Sequence, residues 1–404
     1  MDEAKKEQVF SGLKVLDFTI AVAGVFVAWQ FADLGAEVWK VEKYGAGDQA
    51  RTWGPFINDM STLYASYNKN KQSIEMDLGS PQGKAIIYEM VKQADVVIEN
   101  FKSGSIDRLG LGYEKLREIN PRIVFVSLSG FGASGPLMKY PCYDAIAEAR
   151  GGFAASNGEP DGAPMKAGNS ICDTLSGLYA FNAAVMALIE ARRSGEGCRI
   201  DVSMSDVAMQ ACEETIVDYG QTGATQTRFG DHDRFTAPYG MFESRDGWSV
   251  IIADSEARWQ ALCDALGHPA WKQDPRFIDN AARVANKAAL ITELEAVTRT
   301  LRRCELEDKL RAAQVPASGV LSFLEAYTSD HANQTGLTSL VLQEKIGTIR
   351  FYNNPLHFNG EAPAIHRGAP LLGEDTTPIL QELGYSDAEI QALYADNVVG
   401  SHLY

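Results

Sequence analysis

Leu13-Lys14-Val15-Leu16-Asp17-Phe18 is an apolar run of strand length, and Thr19-Ile20-Ala21-Val22-Ala23-Gly24 turns the chain into a segment with apolar residues at helical spacing, which Gly35 stops. A second apolar run, Ala36-Glu37-Val38-Trp39-Lys40-Val41-Glu42, follows at once. Strand, helix and strand within about thirty residues form a βαβ unit, whose strands lie parallel. Outward from it, Val96-Val97-Ile98-Glu99 supplies a third strand after a helix from Pro81, and Arg122 to Leu128 a fourth after a helix near Tyr113. A long Ala-rich helix from Thr174 to Arg193, closed by Ser194-Gly195-Glu196-Gly197, leads into a further strand from Arg199 to Met204. This alternation predicts an α/β protein with a Rossmann-like, doubly wound parallel sheet.

From about Gln221 the pattern changes. Phe242-Glu243-Ser244 and Trp248-Ser249-Val250-Ile251-Ile252 flank Arg245-Asp246-Gly247, a hairpin signal, and helices follow around Arg258, Leu290 and Leu306. The expected organisation is a large domain over 1–220, a smaller α+β domain over 221–314, and a loop-rich linker and C-terminal part over 315–404 that returns to the large domain.

Composition narrows the function. With 45% hydrophobic and 22% charged residues over 404 positions, the chain is globular rather than disordered. A formal charge of -16 without a basic run disfavours nucleic acid and anionic membrane as partners. The six cysteines are scattered without a CxxC pair, the N-terminus lacks a signal peptide's apolar run, and no stretch of roughly 20 apolar residues stands out. A cytoplasmic protein with reduced thiols is expected. The first βα turn lacks GxGxxG, Gly83-Lys84 is followed by Ala85 instead of the P-loop Ser or Thr, and neither HExxH nor GxSxG occurs. No two of the six histidines are spaced i, i+3 or i, i+4, so no metal site is expected.

Several segments, in order, resemble the class III CoA-transferases, the family of formyl-CoA:oxalate, carnitine and bile-acid CoA-transferases and of the α-methylacyl-CoA racemases. They are Gly12 to Asp17, Leu34-Gly35-Ala36-Glu37-Val38, Gly47-Asp48 with Arg51, Asn70-Lys71-Gln72-Ser73-Ile74, Glu99-Asn100-Phe101 with Asp107-Arg108-Leu109-Gly110, Ser129-Gly130-Phe131-Gly132, Asp173 with Ser176-Gly177, and Ala369-Pro370-Leu371-Leu372-Gly373-Glu374. The resemblance spans nearly the whole chain. It implies CoA transfer from an acyl-CoA to a small carboxylic acid, with coenzyme A as substrate and no permanently bound cofactor. The alternatives are an acyl-CoA racemase and a catalytically idle CoA-binding protein.

The position matching the family's catalytic aspartate is Asp173, at the start of the long helix, where the dipole and free N–H groups favour a carboxylate. By itself such a residue reads equally as a helix cap. The resemblance implies that its carboxylate attacks the donor thioester to give a mixed anhydride and then an aspartyl-CoA thioester. It also implies that Asn100 and Phe101 line the CoA, that Arg108 meets a phosphate, and that Lys43 and Lys102 lie near the nucleotide. Val22 stands where formyl-CoA transferase carries an active-site glutamine, and Arg234 to Gly240 replace that enzyme's glycine-rich loop, which argues against oxalate as acceptor. Tyr143 stands where the racemases carry a catalytic histidine. An ordinary phenol, with a pKa near ~10, is a poor base for an α-proton, so transfer is favoured over racemisation. Tyr143 and Asp144 match a tyrosine–acid pair beside the transferases' site and are assigned supporting and pocket roles. The family's open-ring subunits interlock in pairs, so a linked homodimer is expected.

Overall fold

The computed structural model describes residues 8–223 and 228–402. Among them the chain forms two units. One gathers the segments up to Phe153, Ala167–Glu213 and the chain from Asp330; the other consists of Ala154–Lys166 and Glu214–Ser329. Ala154–Lys166, placed within 1–220 by the sequence reading, therefore belongs with the second unit, which also runs on past 314 to Ser329.

The first unit is built on a seven-stranded sheet. Its strands are β1 (Lys14–Asp17), β2 (Glu37–Lys43), β3 (Gln72–Met76), β4 (Val96–Glu99), β5 (Val124–Ser129), β6 (Arg199–Ser203) and β7 (Val399–Gly400). They lie in the order β7-β3-β2-β1-β4-β5-β6, all parallel except β7, which runs antiparallel to β3. Val15 of β1 stands level with Val38 on one side and Val96 on the other.

Both faces of the sheet are covered, which is why its strands read as continuous apolar runs. Val15, Val96, Ile98, Val124 and Val126 pack on one face against helices α1 (Ala23–Asp33) and α3 (Ile171–Ser194), while Leu16, Val97 and Phe125 pack on the other against Ile86, Leu116, Ile379 and Ile390. A third helix, α2 (Asp144–Gly151), lies between α1 and α3 in the chain.

Two features depart from the sequence reading. β3 was not foreseen as a strand, because its Ser73 and Glu75 are polar yet wholly buried. The helix α3 starts at Ile171, three residues before the expected Thr174. By length and apolarity α3 is also long enough to cross a membrane. In the fold it buries Cys172, Ser176, Ala180, Ala184, Leu188 and Ala191, a stripe at helical spacing that closes the first unit's core.

The second unit carries a hairpin of Tyr239–Ser244 and Gly247–Ile252 with Ala317–Gly319 as a third antiparallel strand. Helices Glu256–Leu266, Lys287–Thr298 and Arg303–Ala312 bury Trp259, Leu290, Leu294, Leu306 and Leu310 in its own core.

Candidate active site

The strand order reverses its direction of travel between β1 and β4, and in open α/β sheets ligands bind outside the carboxyl ends at such a point. The turn after β1 is held there from several sides. Asn100, directly after β4, accepts from the Ile20 N–H and donates to the Ile20 carbonyl, both at 2.8 Å. Asp48 Oδ1 accepts from the N–H of Ala21 (3.0 Å) and Ala50 (2.8 Å), and Lys40 Nζ donates to the Thr19 carbonyl at 2.9 Å. These bonds hold Ala21 at φ 67, a left-handed conformation that costs a residue with a side chain of order 1 kcal/mol.

Beneath the turn lies a buried ionic network. Lys40 Nζ is 2.8 Å from Asp48, Lys71 Nζ is 2.8 Å from Asp17, and Arg51 grips Glu42 through two nitrogens at 2.8 and 2.7 Å. Burial opposes the Glu42 charge, but Arg51, Lys40 and the Ser73 hydroxyl together outweigh it and hold the carboxyl at about 2. The Arg51 guanidinium also donates to the Pro370 carbonyl at 3.1 Å, and Ser73 Oγ accepts from the Gly373 N–H at 3.0 Å, so the C-terminal segment is tied to β3. Asp17, Asp48, Arg51, Lys71, Ser73 and the Pro370–Gly373 stretch, far apart in sequence, thus share one network. Their value is positional, since a buried ion pair contributes little net stability once desolvation is counted.

Asp173 lies in the first turn of α3, at the third helical position rather than before the helix. The cap comes from elsewhere in the chain. Asp144 Oδ1 accepts from the N–H of Cys172 at 2.8 Å and of Asp173 at 3.1 Å. Burial, and secondly the Asp144 charge, push the Asp173 carboxyl up to about 7. Burial and like charge therefore prevail over the helix dipole that favours ionisation. The flanking thiols Cys142 and Cys172 are pushed up to about 11 and about 12, first by burial and then by the carboxylates, so they stay protonated beside Asp173.

One turn further along α3, Gly177 meets α1. A Cβ at Gly177 would stand 2.8 Å from Phe26 Cδ1 and 3.1 Å from the Ala23 carbonyl oxygen. This contact brings the α1 N-terminus, with buried Val22 preceding it, beside the helix that carries Asp173.

The remaining candidates fall into two sets. Tyr143 immediately precedes α2 and is 58% exposed, next to the capping Asp144. Lys43, Lys102 and Arg108 are exposed; Lys43 ends β2, Lys102 follows β4, and Arg108 ends a short helix, Ser105–Arg108, with one bond to Ser105 Oγ at 2.9 Å. Phe101 is half-buried on the sheet's second face, its N–H on Glu99. The Asn100 side chain is committed to Ile20, so its contribution passes through the turn.

Sequence reasoning missed Tyr67, whose hydroxyl is raised by burial and by the Asp173 charge, and missed Cys142 and Cys172 as neighbours of the carboxylates. Among the described residues no three His, Cys, Asp or Glu side chains converge as a metal site would need.

Residues 10–376 match the model of CoA-transferase family III. The chain belongs to CoA-transferase family III. This transferase is 36% identical over 388 residues to the acetyl-CoA:oxalate CoA-transferase of Acetobacter aceti, covering 96% of this chain and 98% of that protein. It is 33% identical to the succinyl-CoA:glutarate CoA-transferase of Homo sapiens, covering 97% and 90% respectively. Its fold is similar to the crystal structure of a CAIB/BAIF family protein from Brucella suis, with a TM-score of 0.86 and 32% identity over 94% of this chain and all of the other.

Proposed function

We propose that this transferase moves CoA between an acyl-CoA and a short carboxylic acid through covalent attachment to Asp173. The observation that carries the reading is a partly buried carboxylate at about 7, flanked by Asp144, on the first turn of α3 in a family III chain. An Asp173 oxygen attacks the donor thioester carbonyl; a C–O bond forms, the C–S bond breaks, and CoA leaves as thiolate. The thiolate then attacks the Asp173 carbonyl of the anhydride, forming the aspartyl-CoA thioester and releasing the donor acid. The acceptor carboxylate runs the same two steps in reverse. Each step exchanges one activated acyl bond for another, so no ATP is consumed. Raised basicity suits Asp173 to attack, and partial burial limits hydrolysis of the activated intermediates.

Further elements of this reading rest on position. The strand order supports a Rossmann-like, doubly wound description, with CoA over the carboxyl edge beside Asn100, Phe101, Lys102, Lys43 and Arg108. The relatives' names cover oxalate and glutarate, and apolar Val22 favours an acid with methylenes between its carboxylates. A homodimer accords with the outer face of α3, where Met186 and Ile189 are 69% and 66% exposed. We place the transferase in the cytoplasm.

Incubation with acyl-CoA alone is expected to leave a CoA adduct on the peptide containing Asp173, detected by intact-protein mass spectrometry and stabilised by borohydride or hydroxylamine. A panel of oxalate, succinate, glutarate and monocarboxylates then identifies the acceptor. An unmodified wild-type protein that exchanges the acyl-CoA α-proton with deuterium, without any acceptor, would reject transfer in favour of racemisation.

A further inference from the structure

Glu75, near the carboxyl end of β3, is wholly buried, and both its oxygens are engaged. Oε1 accepts from the Gly45 N–H at 2.6 Å and lies 2.5 Å from His402 Nδ1, while Oε2 accepts from the His402 N–H at 3.2 Å. His402 follows β7, which runs antiparallel along β3 with Gly400 level with Glu75. Two glycines make room for this side chain: a Cβ at Gly400 would stand 2.7 Å from its Oε2, and one at Gly373 3.1 Å from its Cβ.

Gly45 belongs to the turn over 44–47, which leads from Lys43 at the end of β2 to Asp48. The Ala46 and Gly47 N–H groups close it on the Lys43 carbonyl, at 3.2 and 2.8 Å. Asp48 fixes its far end, giving its N–H to Glu42 and holding the Ala21 N–H of the turn after β1. The segment 397–402 fixes its near side. The Tyr44 hydroxyl donates to Asn397 Oδ1 at 2.7 Å, the His402 ring meets Tyr44 edge-on at 5.3 Å between centroids, and Glu75 holds Gly45.

We infer that His402 is a positioning residue for the nucleotide rim: by pairing with Glu75 it keeps that carboxylate on Gly45 and so sets the turn that follows Lys43. The inference rests on the proposed placement of CoA beside Lys43. A carboxylate only accepts, so His402 presents Nδ1–H to it, from the neutral and the protonated ring alike. Without the imidazole the buried carboxylate loses a donor and turns toward those that remain, and Gly45 loses its fixed acceptor. Asp173 lies on α3 and not on this turn, so the effect falls on nucleotide binding rather than on the chemical steps.

His402→Ala is therefore expected to raise KM for the acyl-CoA about fivefold, with kcat held within about twofold. The matching S-acyl pantetheine lacks the nucleotide, and its KM is expected to stay within about twofold of the wild type. His402→Asn, whose amide offers an N–H at nearly the reach of Nδ1, is expected to restore KM for the acyl-CoA. An equal rise for both donors would show general loosening and overturn the positioning role. If Lys43→Ala raises KM for the acyl-CoA and His402→Ala does not, the inference falls and the placement of CoA stands. If neither does, that placement falls and the inference with it.

Discussion

One carboxylate of this site caps the helix that carries the other: Asp144 Oδ1 accepts the backbone N–H of Asp173 at 3.1 Å and that of Cys172 at 2.8 Å. The same contact that satisfies the helix terminus sets a negative charge beside the nucleophile, so Asp144 has a structural effect and an electrostatic one. Two substitutions separate them.

Asp144→Asn keeps an oxygen to accept the two N–H groups and removes the charge. It is expected to leave the melting temperature nearly unchanged and to lower the acid limb of kcat/KM, near pH 7 in the wild type, by about one unit. Asp144→Ala loses the cap as well and is expected to cost about 1 kcal/mol of stability. An Asp144→Asn profile identical to the wild type would show that burial alone sets the basicity of Asp173.

Asp173 also makes stability depend on pH. Its folded value of about 7 lies above the ordinary 3.8, so between the two the folded state binds more protons and stability falls as pH rises through that window. Asp173→Asn cannot ionise and escapes this loss. The variant is expected to melt about 1–3 °C above the wild type at pH 8 and to lose that advantage at pH 4. Equal differences at both pH values, measured by scanning calorimetry, would contradict the raised carboxyl.

Arg108→Ala tests the nucleotide edge. Its exposed side chain donates to Ser105 Oγ at 2.9 Å, so its removal disturbs little of the fold. KM for the acyl-CoA is expected to rise about tenfold with little change for the acceptor acid, as for loss of one charge-assisted phosphate contact. A fall in kcat at unchanged CoA affinity would move the phosphates elsewhere on the rim.

What the sequence makes legible is what period and local chemistry encode. Leu13–Phe18, Val96–Glu99 and Arg122–Leu128 announce their strands because both faces of the sheet are apolar. β3 escapes because its inward Ser73 and Glu75 serve Gly373, Glu42 and Gly45 rather than a hydrophobic layer. The start of α3 is equally hidden, since its cap is a side chain from 28 positions away instead of a local residue. Asp173 becomes a nucleophile on paper only through family resemblance; its basicity comes from burial and Asp144, neither visible in spacing. Tyr67 carries no motif, and the edge-on line from Phe26 through Trp29 to Tyr67 depends on Gly177 admitting Phe26 against α3.

That dependence can be tested at Gly177. An added Cβ would stand 2.8 Å from Phe26 Cδ1 and 3.1 Å from the backbone oxygen of Ala23, closer than either neighbour tolerates without moving. Phe26 is 8% exposed and already in edge contact with Trp29, so it has little room to yield. Gly177→Ala is therefore expected to destabilise the protein by about 1–3 kcal/mol despite alanine's better helix propensity. Because the same contact sets α1 and the aromatic line against the helix of Asp173, kcat is expected to fall more than KM for acyl-CoA rises. Phe26→Leu in the Gly177→Ala background should recover part of the lost stability by freeing space. A single variant with wild-type melting temperature and kcat would show that α1 and α3 are not held together at this point.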